Sequence, residues 1–259
     1  MRKTVLALTV AIGLAVAIPA SAFAKSPLAG WWPLYENGGT VAHDASANHN
    51  NGTLSGGVTW SAGYFGSGLN FDGNTGQVAV PDSASLEPSS AVTVAAYVKS
   101  SGSPGDWKYV VSKGAYNCIM ASYGLYTGAN GGLVFYIGQN GGLTFSPSPD
   151  AGTSLWDGKW HFVVGTYDGS AVHLYVDGSQ IGSGQPASGS IGYNLPTTND
   201  LFIGHYDGAC PDGGDNFSGS IDEPTVWNTA WNSSQVLTAY RALGLLHGFV
   251  SRLPAFPNS

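Results

Sequence analysis

Apolar residues along this chain fall in short runs of β-branched and aromatic types, each closed by Gly, Pro or Asp. The clearest pair is the run from Trp160 to Tyr167 and the return run from Val172 to Val176. Asp168-Gly169 separates them, and Asp157-Gly158 and Asp177-Gly178 bracket them. Asp-Gly supplies the positive φ values of tight turns, so the pattern predicts an antiparallel hairpin. The same rule predicts strands over Leu69–Phe71, Val78–Val80, Val92–Lys99, Tyr109–Ser112, Tyr123–Tyr126, Leu133–Ile137, Leu201–Ile203 and Ile221–Trp227. Short strands with turn signals between them predict an all-β sandwich or barrel. One late stretch has helical spacing: Asn232 as cap, Gln235 three residues on, Val236, Leu237 and Tyr240 on one face, and Gly244 as the stop. Residues 25–243 read as one domain without repeat or linker, and 244–259 as an apolar tail with no assigned place.

Composition sharpens this. With 38 Gly and 14 Pro in 259 residues, a helical bundle is excluded, because each interior Gly costs a helix about 1 kcal/mol and each Pro about 3 kcal/mol. A hydrophobic share of 43% rules out a disordered chain, and only 10% of residues are charged. Acids outnumber bases 16 to 9 for a net charge of −7, without a basic run. Nucleic acid and anionic membranes are therefore unsuitable partners, whereas a neutral ligand or a cation suits the charge. Of the acids, only Glu36, Glu87 and Glu223 are Glu; the rest are Asp, the acid of turns and cation sites.

Residues 1–24 read as a signal peptide: Arg2 and Lys3, an apolar run of about 14 residues from Val5 to Ile18, then Ala22-Phe23-Ala24. That run is shorter than the ~20 residues a membrane span needs, so export to the extracellular side is expected. In an oxidising compartment the two cysteines, Cys118 and Cys210, predict one disulfide, with two buried free thiols as the alternative.

The order of these pieces resembles the laminin-G-like jelly roll of the concanavalin-A-like lectin and glucanase superfamily. The resemblance is carried by Gly68-Leu69-Asn70-Phe71-Asp72-Gly73, by Val78-Ala79-Val80-Pro81-Asp82, and by Val92 to Lys99. It continues through Trp160-His161-Phe162-Val163 with Leu174-Tyr175-Val176-Asp177-Gly178, and ends with Phe217-Ser218-Gly219-Ser220-Ile221-Asp222-Glu223 and the final helix. It implies a two-sheet antiparallel jelly-roll β-sandwich with one short C-terminal helix. It also implies a Cys118–Cys210 pair, since similar domains carry a Cys before Ser122-Tyr123-Gly124-Leu125-Tyr126 and another after Ile203-Gly204-His205-Tyr206.

Three kinds of site come into view. Asp44-Ala45-Ser46-Ala47-Asn48-His49-Asn50-Asn51-Gly52 is rich in oxygen donors. In similar jelly rolls a structural calcium ties such a loop to the closing acid, which implies Asp44, Asn50, Gly52 and Asp222 as ligands. The alternative is an Asx-rich turn bonded to its own backbone. Catalysis by paired carboxylates lacks support: the Glu-x-Asp-x-x-Glu strand of related glycosidases is absent, and adjacent Asp222 and Glu223 should face opposite ways. Third, sugars offer C–H faces to rings and hydroxyls to Asn and Asp. With Cys118 and Cys210 joined, Trp107, Tyr109, Tyr123, Tyr126 and Tyr206 would gather near Asn117 and Asp207. Trp31, Trp32, Trp160 and Trp227 are assigned to the core. The expected function is a secreted, non-catalytic, calcium-stabilised module that binds carbohydrate. A polysaccharide hydrolase or lyase is the alternative, and a protein-adhesion module a third class.

Overall fold

The computed structural model describes residues 28–139, 144–208, 210 and 215–250. The signal peptide expected over 1–24 and the tail beyond 250 lie outside them. In chain order the strands are β1 (Leu28–Trp31), β2 (Val41–Ala42), β3 (Gly52–Ser55), β4 (Val58–Ala62), β5 (Ser67–Asp72), β6 (Gln77–Val80), β7 (Val92–Lys99), β8 (Tyr109–Ala115) and β9 (Tyr123–Thr127). They continue with β10 (Leu133–Gln139), β11 (Thr144–Pro147), β12 (His161–Tyr167), β13 (Ala171–Val176), β14 (Ser179–Gln180), β15 (Gln185–Pro186), β16 (Thr198–Ile203) and β17 (Ser218–Trp227), followed by helix α1 (Ser233–Val250). One sheet runs β14-β13-β12-β7-β17-β5-β4, with β1 also on β17 and β15 on β13; the other runs β11-β10-β9-β8-β16-β6-β3-β2. All the strand pairs are antiparallel, as a sandwich of hairpins and crossovers requires.

β7 shows how sequence sets the layers. Val92, Val94, Ala96 and Val98 enter the core between the sheets, while Ala95 and Tyr97 enter a second cluster with Trp231, Val236 and Ala239. A strand covered on both faces has no polar alternation to display, which is why Val92–Lys99 reads as a continuous apolar run. Helix α1 therefore lies on the outer face of the first sheet. Asn232 closes its start as a capping box: its Oδ1 accepts from Gln235 N at 3.0 Å and its N donates to Gln235 Oε1 at 2.9 Å. Gly244 does not stop the helix, contrary to its sequence reading. The helix continues to Val250, since the modest propensity cost of one interior glycine is small beside the packing of Tyr240 and Leu243 on the sheet.

The predicted hairpin is present as β12 and β13, with Tyr167 opposite Val172 and Val163 opposite Val176. Asp177 and Gly178 link β13 to β14 with φ of 50° and 80°, the pair of positive values that a tight two-residue turn needs. Of the four tryptophans assigned to the core, Trp32 is fully buried. Trp31, Trp160 and Trp227 are only half-buried: Trp31 Nε1 reaches Glu223 Oε2 at 2.5 Å, and Lys99 Nζ sits 4.9 Å above the Trp160 ring. Among the described residues no helix is long and apolar enough to cross a membrane.

Candidate functional site

The outer face of the second sheet is covered by rings instead of a helix. On β9 the two-residue period sends Tyr123 and Leu125 into the core and Tyr126 outward. Tyr109 from β8 and Tyr136 from β10 join Tyr126 there. Gly124 makes this possible: a Cβ at that position would lie 2.6 Å from Tyr136 Cε1 and 2.9 Å from Tyr109 Cε1, so only glycine lets the rings close over the strand. Four rings then stack in series. Tyr206 lies 4.6 Å from Tyr109, Tyr109 lies 5.1 Å from Tyr126, and Tyr126 lies 6.0 Å from Trp107, with interplanar angles of 16°, 26° and 22°. Phe145 of β11 packs against Tyr136 at 4.7 Å.

At the open end of this stack is a pocket of about 290 Å³ lined by Trp107, Tyr109, Ile119, Met120, Tyr126 and Phe145. Tyr109, Met120 and Tyr126 form its buried floor, whereas Trp107 is 46% exposed, Ile119 58% and Phe145 39%. Trp107 adopts φ +61°, a left-handed backbone that bulky residues avoid. Surrounding hydrogen bonds hold it there. Trp107 N donates to Thr127 O at 3.0 Å, Lys108 N to Thr127 Oγ1 at 2.8 Å, and Thr127 Oγ1 to Gly105 O at 2.6 Å. Among the described residues seven other non-glycine positions also have a positive φ; Trp107 differs from them in carrying a half-exposed indole there.

The opposite wall comes from the loop after β8. Cys118 and Cys210 form the expected disulfide, with Cα atoms 4.7 Å apart. Tyr206 Oη donates to the carbonyls of Asn117 and Met120 at 2.8 and 2.9 Å, and Asn117 N donates to Thr197 Oγ1 at 2.9 Å. These ties set Ile119 and Met120 beside the rings. Among the described residues, polar capacity inside the pocket is small. Tyr109 Oη is engaged with Tyr136 Oη at 2.8 Å, and Tyr136 Oη accepts from Ala121 N at 2.6 Å. Burial, with Asp150 nearby, raises Tyr126 well above the ordinary tyrosine value, so its hydroxyl keeps its proton at neutral pH.

The residues expected to contact ligand thus separate. Trp107, Tyr109 and Tyr126 line the pocket, and Tyr206 stands one ring behind it as a support. Asn117 and Asp207 are exposed but do not line it. Tyr123 is corrected outright: fully buried between the sheets, its hydroxyl donates to Leu86 O at 2.9 Å. Ile119, Met120 and Phe145 escaped sequence reasoning. The first two stand directly after Cys118, a position that was the available signal; Phe145 follows a Gly-rich stretch with no strand pattern.

The expected calcium ligands do not form a cage. Asp44 Oδ1 accepts from Trp31 N and Ser46 N at 2.9 and 2.8 Å, and its Oδ2 accepts from Ser46 Oγ and Asn50 N, both at 2.8 Å. The Asn50 carbonyl accepts from Trp32 Nε1 at 2.8 Å, and Gly52 is a strand residue of β3. Asp222, fully buried, accepts from Phe65 N on Oδ2 and from Glu223 N on Oδ1, each at 2.9 Å. Calcium needs six to eight oxygens turned toward one point, and these are turned toward N–H and O–H donors instead. The residues do not fit the ion; the loop is the self-bonded Asx turn.

Asp222 and Glu223 hold separate hydrogen-bond partners. A bulge between Asp222 and Thr225 interrupts the β17–β7 register, and Glu223 there has φ +53°. Its carboxylate accepts from Trp31 Nε1 at 2.5 Å and Tyr35 Oη at 2.6 Å, partners that Asp222 does not share. Burial pushes Asp222 up to about 8 and raises Glu223 too.

The family model described as the concanavalin A-like lectin/glucanases superfamily matches residues 72–237. No curated protein matches the chain. Among solved structures, the chain is similar to domain 4 of AbnA, an extracellular GH43 arabinanase from Geobacillus stearothermophilus held in complex with arabinotriose. That likeness has 17% identity and a TM-score of 0.61, covering 82% of this chain and 97% of that one. It is also similar to the binding domain of botulinum neurotoxin DC in complex with rat synaptotagmin II (14% identity, TM-score 0.64, 84% of this chain and 52% of that one). A third likeness is to botulinum neurotoxin type C, whose cell entry depends on two ganglioside molecules (14% identity, TM-score 0.63, 86% and 52%). The chain spans about half the length of the toxin chains.

Proposed function

The chain belongs to the concanavalin A-like lectin/glucanase superfamily, and within it we propose that this protein is an exported, non-catalytic module that binds neutral carbohydrate at the Trp107 pocket. The observation that carries the reading is the Trp107 side chain, half exposed and held at φ +61° at the end of a four-ring stack. Pyranose and furanose rings have C–H faces that lie flat on such a surface, and a surface fixed in advance loses little entropy on binding. Binding of arabinotriose by a protein of similar fold supports the class of ligand. The net charge of −7 supports a neutral one. Export accords with the disulfide and with the leader pattern of residues 1–24.

A polysaccharide-cleaving activity has less support, because Asp222 and Glu223 are occupied by separate structural partners. Binding to a protein is the second reading, favoured by the exposure of Ile119 and Phe145 next to Trp107. A panel of immobilised neutral and acidic glycans separates these. Retention on neutral glycans is expected; silence across the panel together with capture by a protein would replace carbohydrate with the second reading.

A further inference from the structure

The pocket pairs rings with aliphatic surface, and the combination bears on which sugar enters. Ile119 supplies a branched alkyl wall that is 58% exposed, and Met120 supplies a thioether at the floor. Neither accepts or donates a hydrogen bond to a sugar hydroxyl. Among the described residues, none of the six that line the pocket has a carboxylate, amide or guanidinium, the groups that usually hold hydroxyls in place. Of the two lining tyrosines, Tyr109 already spends its hydroxyl on Tyr136. At its 2-position an unsubstituted hexose would bury a hydroxyl beside aliphatic groups that offer it no strong partner, whereas an N-acetylated one would place an acyl methyl there. An acetamido or acetyl group suits the space better: its methyl would meet Ile119 and Met120.

Size and charge narrow the class further. At about 290 Å³ the pocket is at the lower end of the roughly 300–1,000 Å³ typical of small-molecule sites, which suits one substituted sugar unit. The chain's net charge of −7 disfavours carboxylated sugars. Resting on the reading of this pocket as a glycan site, we infer that its preferred ligand is an uncharged N-acetylated sugar, the ring lying on Trp107 and the acetyl methyl seated between Ile119 and Met120.

The test uses the exported chain with its disulfide intact and three trimers of matched length and β-1,4 linkage, built from N-acetylglucosamine, glucose and glucosamine. Isothermal titration should show the N-acetylated trimer binding at least about tenfold more tightly than the glucose trimer, the gain expected from a buried methyl where the glucose trimer has a hydroxyl left without a partner. Ile119→Ser, at an exposed position where folding is not at stake, should erase most of that preference and leave the thermal midpoint unchanged. Equal or tighter binding of the glucose trimer would overturn the acyl assignment while leaving a glycan site in place. Tighter binding of the glucosamine trimer, lost at high salt, would overturn it in favour of charge attraction to the acidic chain. Failure of all three trimers and of every neutral glycan would overturn the glycan reading along with it.

Discussion

At the scale of single residues, two departures from ordinary chemistry stand out. Trp107 keeps a bulky side chain at φ +61°, a conformation costing on the order of 1–3 kcal/mol. Asn tolerates that region, so Trp107→Asn is expected to leave the thermal midpoint unchanged or raise it by a few degrees. Differential scanning calorimetry checks this; a clear fall in midpoint would mean the indole is there for packing. Asp222 is the other. Burial lifts its carboxyl from 3.8 to about 8, so the fold favours the protonated form. At low pH both folded and unfolded chains carry the proton. Above about pH 4 the unfolded chain releases it while the folded one retains it, so this contribution to stability declines as pH rises toward 8. Denaturant melts between pH 4 and 9 should show that decline in the native protein and a flatter profile in Asp222→Asn.

At the scale of elements, the strands were legible where packing imposes one rule and obscure where two compete. Val92–Lys99 matched β7 end to end because both its faces are covered. β4, with Val58, Thr59, Trp60, Ser61 and Ala62, went unread because no position in it is fully buried, which leaves little alternation to detect. Period two on β9 already contained the fate of Tyr123, which shares parity with Leu125 and not with Tyr126. Aromatic identity outweighed parity in the sequence reading, and the core took the ring. The oxygen-rich loop was visible, but not its occupant: calcium and an Asx turn ask for the same side chains and differ only in where the donors point. Its four contacts to Asp44 predict that Asp44→Ala lowers stability by about 3 kcal/mol, while EDTA leaves the native thermal midpoint where it was. A drop with EDTA, restored by calcium, would reinstate the ion. The disulfide spans 92 positions, and opening a loop of that order costs about 4 kcal/mol on the chain-entropy account. Cys118→Ser with Cys210→Ser is therefore expected to lower the denaturant midpoint markedly, and an unchanged midpoint would contradict that estimate.

For the whole molecule, the two outer faces have different covers. Helix α1 seals the first sheet, packing Val236 over Tyr97 and Phe162, leaving that face with an internal role. The second sheet is covered by a shell of tyrosines that opens at Trp107, Ile119 and Phe145. The proposed recognition is therefore placed on the second face, and with the acidic balance of the chain its attraction for a neutral ligand depends on contact and not on long-range charge. The most direct measurement is a titration of the best-retained neutral glycan into the native protein and Trp107→Asn, at low and high salt. Affinity should fall by at least about tenfold in the variant and barely respond to salt, with both proteins folded. Equal affinity in the two proteins would place the binding surface elsewhere.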